Sequence, residues 1–65
     1  MKVTVNDEDV QLDKPTTVAE LLARMGFPDK GIAVAVDWSV IPKSDWHTTL
    51  SDGARVEVVT AVQGG

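Results

Sequence analysis

Apolar and polar residues alternate along the first five positions of the chain, from Met1 to Val5. A period of two predicts a strand with one buried face. Residues 6–9 are polar and predict a turn, after which Val10 and Leu12 resume the alternation. The chain is therefore predicted to begin with a β-hairpin.

A helix is predicted next, with clear signals at both of its ends. Thr17 is a good N-cap, and Glu20 stands three residues later, as in a capping box. The apolar residues that follow are spaced three or four apart and form one stripe: Val18, Leu21, Leu22 and Met25. Gly26 is the expected C-terminal stop, and Pro28 prevents continuation.

A second pair of strands is predicted after the helix. Residues 32–36 read as a strand whose large side chains face one side, while Ala33 and Ala35 face the other. Residues 37–39 are expected to turn the chain into a short strand at 40–41. Pro42 limits that strand to an edge position or a brief segment.

The last third of the chain predicts a crossover and a final strand. Residues 44–46 are expected to form a single helical turn capped by Ser44, with Trp46 and Leu50 packing into the core. A turn at 51–53 precedes a strand at 55–61. One helix covering one face of a mixed sheet of four to five strands predicts an α+β fold, because the apolar stripe has nothing else to pack against.

The opposite face of this sheet is predicted to be open. If Val56 and Val58 point at the helix, every second residue of the last strand points away from it. The alanines of the 32–36 strand share that open face. We therefore predict a shallow apolar docking face built from four small side chains: Ala33, Ala35, Val59 and Ala61.

Composition narrows the class of protein. The chain has 65 residues, enough for one domain, and a net charge of −4 with its acidic residues dispersed. The absence of a clustered basic footprint argues against nucleic-acid binding. No apolar stretch approaches the roughly 20 residues of a membrane span. The opening residues read as a strand rather than a signal peptide, so we predict a cytoplasmic protein. His47 is the single histidine and there is no cysteine, so no metal site is expected.

The sequence given ends in two glycines directly after the predicted final strand. We predict a folded domain at residues 1–61 and a flexible tail at residues 62–65. Glycine carries no side chain, so such a tail is thin and presents an unhindered carboxylate. Val62, Gln63 and Gly64 are predicted to enter the active sites of partner enzymes, with Gly65 carrying the reacting group; four residues reach about 13 Å when extended.

Five segments together resemble the ThiS-type sulfur carriers of thiamine biosynthesis, within the ubiquitin-like β-grasp superfamily. They are residues 1–6, 17–22, 32–36, 41–46 and, above all, 52–65 with the ending Val-Thr-Ala-Val-Gln-Gly-Gly. One departure is visible at the turn after the central strand. The family usually places Asn-Gly or Asp-Gly there, whereas this chain has Asp37-Trp38. A tight turn needs positive φ, so either the turn is wider or Trp38 is strained, with an exposed ring.

The resemblance implies a carrier without catalytic residues or a cofactor of its own. A ThiF-type adenylyltransferase would use ATP to adenylate Gly65. Sulfur from a sulfurtransferase or cysteine desulfurase would then convert Gly65 to a thiocarboxylate. A ThiG-type thiazole synthase would receive that sulfur.

Three alternatives remain open from the sequence. The first is a MoaD-type carrier for molybdopterin synthesis, which uses the same tail chemistry. The second is a ubiquitin-like modifier joined through Gly65 to target lysines, with chains built on Lys14, Lys30 or Lys43, although solvated surface lysines are the simpler interpretation. The third is a plain binding module with an inert tail.

Overall fold

The fold is built on one five-stranded sheet. The structure is a computed structural model and describes residues 1–60. The strands are β1 (Lys2–Val5), β2 (Glu8–Gln11), β3 (Ile32–Val36), β4 (Ser39–Ile41) and β5 (Arg55–Thr60). They lie in the order β2-β1-β5-β3-β4, with β5 parallel to β1 and every other pair antiparallel. The predicted mixed sheet is therefore confirmed. Residue 61, where the predicted domain ends, and the tail at 62–65 lie outside the described residues.

Helix α1 (Val18–Arg24) begins as the sequence predicts. The backbone N–H of Glu20 donates to Thr17 Oγ1 at 3.1 Å, and the backbone N–H of Thr17 donates to Glu20 Oε1 at 2.9 Å. These bonds complete the capping box, and the bond from the Thr17 backbone is the main reason why the pKa of the Glu20 carboxyl lies below its ordinary value of 4.5. Met25 is the C-cap residue and is half-buried rather than a full member of the buried stripe.

The core lies between α1 and one face of the sheet. It is closed by Trp46 and Leu50, which are 7% and 6% exposed, so the prediction that both pack inside is confirmed. The Trp46 indole N–H donates to the Ile41 carbonyl at 3.3 Å, which satisfies its one polar atom. The remaining buried apolar residues come from β1, α1, β3, β5 and the positions just after β2 and just before β5: Val3, Val5, Leu12, Val18, Leu21, Leu22, Val34, Ala54, Val56 and Val58.

The first hairpin turn is shorter than predicted. The sequence suggested a polar turn over 6–9, but Glu8 already pairs with Val5 and starts β2. Only Asn6 and Asp7 form the turn, with φ of 49° and 68°. Asn and Asp tolerate this left-handed conformation, which allows a two-residue turn that matches the twist of the strands.

The second hairpin turn is also a two-residue turn, formed by Asp37 and Trp38. Their φ values are 50° and 74°, and Val36 pairs directly with Ser39. Of the two predicted outcomes, a wider turn or a strained Trp38, the structure shows the second. The indole is 74% exposed, as expected. β4 consequently starts at Ser39 and not at Val40.

The short helical turn before the crossover starts earlier than predicted. It is a 3₁₀ helix over Lys43–Asp45 that follows Pro42 and has no side-chain cap. The prediction that Ser44 caps it is wrong, because Pro42 already stands at the entry with an extended backbone and its carbonyl accepts the N–H of Asp45 at 2.8 Å. Ser44 therefore lies inside the turn.

Candidate partner-binding face

Small apolar side chains line the face of the sheet that points away from α1. Ala33 of β3 pairs with Val59 of β5, and Ala35 of β3 pairs with Val40 of β4. Val34 of β3 and Val58 of β5, which alternate with these residues, are buried in the core, so the alternation of side chains directs the patch residues to the other side. We call Ala33, Ala35, Val40 and Val59 the open-face patch.

The open-face patch is accessible in the described part of the chain. Val40 and Val59 are 76% and 63% exposed, Ala33 is exposed and Ala35 is half-buried. The prediction that Ala33, Ala35 and Val59 share one face is confirmed, whereas Ala61 lies outside the described residues. Contiguous exposed apolar surface is typical of interaction sites. Partner binding by this face stays a prediction.

Val40 is a member of the patch that sequence reasoning missed. The prediction counted Ser39 as part of a three-residue turn, which left the register of the following strand undefined. A two-residue turn places Val40 opposite Ala35 and therefore on the open face. The Asp-Trp dipeptide gives little warning, because a bulky residue at the second turn position argues against a tight turn.

A charged cluster lies at the end of the same face, around Arg55 at the start of β5. Its Nη2 is ion-paired with Asp7 Oδ1, and its Nε donates to Glu57 Oε1 at 2.9 Å. The guanidinium carbon lies 4.8 Å from the centroid of the Trp38 ring, within the range of a cation–π contact. We call Arg55, Asp7, Glu57 and Trp38 the Arg55 cluster. It joins both hairpin turns across β5.

One backbone and one side-chain hydrogen bond fix the second turn against the start of β5. The Asp37 N–H donates to the Arg55 carbonyl at 2.8 Å, and the Arg55 N–H donates to Asp37 Oδ1 at 3.0 Å. Trp38 is therefore carried by a turn whose first residue is held at two points. This arrangement sets the position of the indole relative to the open-face patch.

β5 is held on both of its edges as far as Val58, and on the β3 side as far as Thr60. On the β3 side, pairing continues to Thr60 opposite Ile32. On the β1 side, the Asn6 side chain continues the ladder: Val58 N–H donates to Asn6 Oδ1 at 2.8 Å, and Asn6 Nδ2 donates to the Val58 carbonyl at 3.2 Å. The strand that leads into the tail is thus tied into the centre of the sheet.

The remaining candidate residues are exposed. His47 lies on the surface, and residues 1–60 contain no group of three or more His, Cys, Asp or Glu side chains arranged to hold a metal ion. Lys14, Lys30 and Lys43 are solvent-exposed, with Lys43 Nζ 5.9 Å from the Trp46 ring centroid. Within the same residues, α1 is too short and too polar to cross a membrane.

The residues predicted to carry the chemistry are at the end of the chain. Val62, Gln63, Gly64 and Gly65 lie outside the described residues, so their predicted roles are carried forward as predictions. The described structure ends at Thr60.

Comparison with known protein families finds a match over nearly the whole chain. A family model described as the ThiS family matches residues 2–65. The chain is 27% identical to the sulfur carrier protein ThiS of Escherichia coli (strain K12), and the match covers 100% of both chains. It is also similar to a thiazole synthase of Paramagnetospirillum magneticum, at 30% identity over 100% of this chain, but it spans only 20% of that protein's length.

Solved structures show the same fold. The crystal structure of the thiamine biosynthesis protein ThiS from Geobacter metallireducens superimposes with a TM-score of 0.83 at 28% identity, covering 100% of both chains. The solution structure of a thiamine biosynthesis protein from the same organism gives a TM-score of 0.80 and covers 88% of that chain. The β-grasp architecture predicted from the sequence is thereby confirmed.

Proposed function

The chain belongs to the ThiS family and is a ThiS-type sulfur carrier of thiamine biosynthesis, and we propose that it holds the sulfur as a thiocarboxylate at Gly65. One observation carries this proposal. The family model matches the chain through Gly65 itself, and the match to the Escherichia coli sulfur carrier covers both proteins completely. The folded body then serves as the part that partner enzymes recognise.

The proposed chemistry starts from an unreactive group. A terminal carboxylate is an anion at neutral pH and a poor electrophile. Attack of its oxygen on the α-phosphorus of ATP releases pyrophosphate and forms an acyl adenylate. A persulfide sulfur then displaces AMP from the acyl carbon, and thiol reduction of the S–S bond leaves the thiocarboxylate.

The partners follow from these steps. A ThiF-type adenylyltransferase would bind the ATP, so the carrier itself holds no cofactor. A sulfurtransferase or cysteine desulfurase would provide the persulfide. The proposed location of the reaction is the cytoplasm, where ATP is available. Val62, Gln63 and Gly64 would form the extended stem inside each active site, where Gly64 lets the backbone pass a narrow slot.

The proposed binding surface for these enzymes consists of the open-face patch and Ala61. Val59 and the tail belong to one continuous stretch of chain, since β5 runs directly into residue 61. Gly65 lies six positions beyond Val59, a distance of at most about 20 Å when the chain is fully extended. An enzyme bound to the patch would therefore have its active site within that distance.

A thiazole synthase is the proposed sulfur acceptor. Its support is the thiazole synthase of Paramagnetospirillum magneticum, about a fifth of which is similar to this entire chain. A region similar to this chain thus lies within a polypeptide that is named a thiazole synthase. We propose that the present chain meets a thiazole synthase as a separate protein through the open-face patch.

Mass spectrometry tests the thiocarboxylate directly. The chain is incubated with ATP, the adenylyltransferase and a persulfide donor from its own host, and the intact mass is measured. We expect a gain equal to the exchange of one oxygen for sulfur, located on the C-terminal fragment. Deletion of Gly65 should abolish both this gain and ATP–pyrophosphate exchange while leaving the circular dichroism spectrum unchanged.

Two results would contradict the proposal. One is unchanged pyrophosphate exchange without Gly65, which would place the reacting group elsewhere. The other is the appearance of high-mass conjugates of Gly65 with lysines of other proteins, which would favour the modifier function.

A further inference from the structure

Trp38 occupies a backbone conformation that suits it poorly and gains little burial in return. Its φ of 74° lies in the left-handed region, where a β-carbon is crowded and glycine or asparagine is preferred. Its side chain remains 74% exposed. A strained backbone conformation that is not offset by the burial of the side chain is typical of functional positions.

The indole lies at the border of the open-face patch. It stacks on Arg55, whose guanidinium also bonds to Glu57, so all three side chains lie on the open side of the sheet. Two positions further along the chain, Val40 points to the same side. The exposed apolar surface thus extends from Val59 through the alanines to a large aromatic ring at the opposite end of β5.

The charges around this ring are mostly acidic. Asp7 and Glu57 pair with Arg55, and Asp37 accepts a hydrogen bond from the Arg55 backbone. Three carboxylates contact Arg55, two at its guanidinium and one at its backbone N–H, which gives this end of the face a local charge of −2 on a chain whose net charge is −4. A complementary surface would carry an apolar recess with basic side chains at its edge.

We propose that Trp38 is an anchor for the thiazole synthase, inserted into an apolar recess edged by lysine or arginine side chains. The inference rests on the proposed function, and it extends the docking face from the patch to the Arg55 cluster. An exposed tryptophan beside smaller apolar residues has the composition of a binding hot spot. The synthase is the partner of choice because a protein of that name contains a region similar to this whole chain.

The test compares binding with stability in the same variants. Affinity for the purified thiazole synthase of the same organism is measured by isothermal titration calorimetry for the wild type, Trp38→Gly and Trp38→Tyr. We expect Trp38→Gly to weaken binding at least about tenfold, as is common for buried aromatic anchors. Its melting temperature should stay equal or rise, because glycine fits the turn.

Two further measurements define the chemistry of the contact. Trp38→Tyr keeps an aromatic ring on the same turn and should retain most of the affinity, within about threefold, if ring contact is the main contribution. Raising the salt concentration should weaken wild-type binding, because basic side chains of the synthase would face the carboxylates of Asp7, Asp37 and Glu57.

Outcomes that overturn the inference are separable from failure of the proposed function. If Trp38→Gly binds like the wild type while Val59→Asp does not bind, the anchor is wrong and the docking face stands. If neither change weakens binding, the whole face is wrong. If the wild type never acquires sulfur at Gly65, the proposed function fails, and the titration still reports whether Trp38 contacts the synthase.

Discussion

Val59→Asp is the sharpest test of the open-face patch. Val59 is 63% exposed, so roughly a third of its side chain is buried. Full burial of a valine is worth about 1.5–3 kcal/mol, so losing this fraction costs about 0.5–1 kcal/mol. The low strand propensity of aspartate adds at most about 1 kcal/mol.

Charge repulsion contributes less to the cost. The new carboxylate would stand two residues from Glu57 on the same face, about 7 Å away along the strand. Two unit charges at that distance repel by about 0.6 kcal/mol in water, before screening by salt. The total is about 2 kcal/mol, less than the roughly 3–10 kcal/mol expected for a domain of this size.

The expected result is a folded protein that no longer docks. The melting temperature should fall by about 10 °C, since each kcal/mol shifts a small domain by about 4–8 °C. Affinity for the adenylyltransferase and the thiazole synthase, measured by calorimetry at a temperature where the variant is folded, should fall at least about tenfold.

Thr60→Asp is the matched control. It places the same carboxylate one residue later in β5, at an exposed position on the opposite face of the sheet. Its melting temperature should fall by a similar amount while its binding stays near that of the wild type. If both variants lose binding equally, charge alone explains the effect; if Val59→Asp binds normally, the patch is not the docking face.

The other predictions concern the tail, the core and the helix cap. Gly64→Ala should slow adenylation by more than it changes the melting temperature, and equal rates would argue against a narrow slot. Trp46→Ala should cost about 3–5 kcal/mol in urea unfolding, because it removes a large core side chain. The hydrogen bond from the Thr17 backbone lowers the pKa of the Glu20 carboxyl below 4.5 in the folded protein. The ionised carboxylate therefore contributes stability that is present above pH 4.5 and is lost as the pH falls through the lower pKa that Glu20 has in the folded protein. The stability advantage of the wild type over Glu20→Gln, which keeps the bond to Thr17, should therefore shrink in acid, and a constant difference would contradict this assignment.

Local sequence signals predicted the regular elements well. The alternation at residues 1–5 and 32–36 and the Thr17–Glu20 capping box act within a few residues of chain, so the sequence alone specifies them. The assignment of Val56 and Val58 to the core also needed only nearby residues, because one buried residue in a strand determines which face its neighbours occupy.

Turn geometry was the main source of error. Asn6-Asp7 and Asp37-Trp38 both adopt positive φ, but only the first pair is typical of that conformation. The turn length then sets the register of the next strand, so the misjudged second turn hid Val40 from the predicted docking face.

The Arg55 cluster could not be predicted from local sequence patterns, for a different reason. Asp7, Trp38 and Arg55 come from three separate parts of the chain, and only the order of the strands brings them together. Ordinary charged and aromatic residues at such spacings carry no motif. The predicted roles of residues 62–65 rest on the family match, which extends over them.

The central position of β5 has a mechanical consequence. An enzyme that drew residues 61–65 into its active site, as proposed, would pull β5 along its own axis. The hydrogen bonds to β3 and those from Asn6 would then be loaded together, in shear, on both sides of the strand, whereas an edge strand would have such bonds on one side only. We expect the carrier to tolerate repeated insertion and withdrawal of its end without unravelling, which suits a molecule that is loaded and emptied many times.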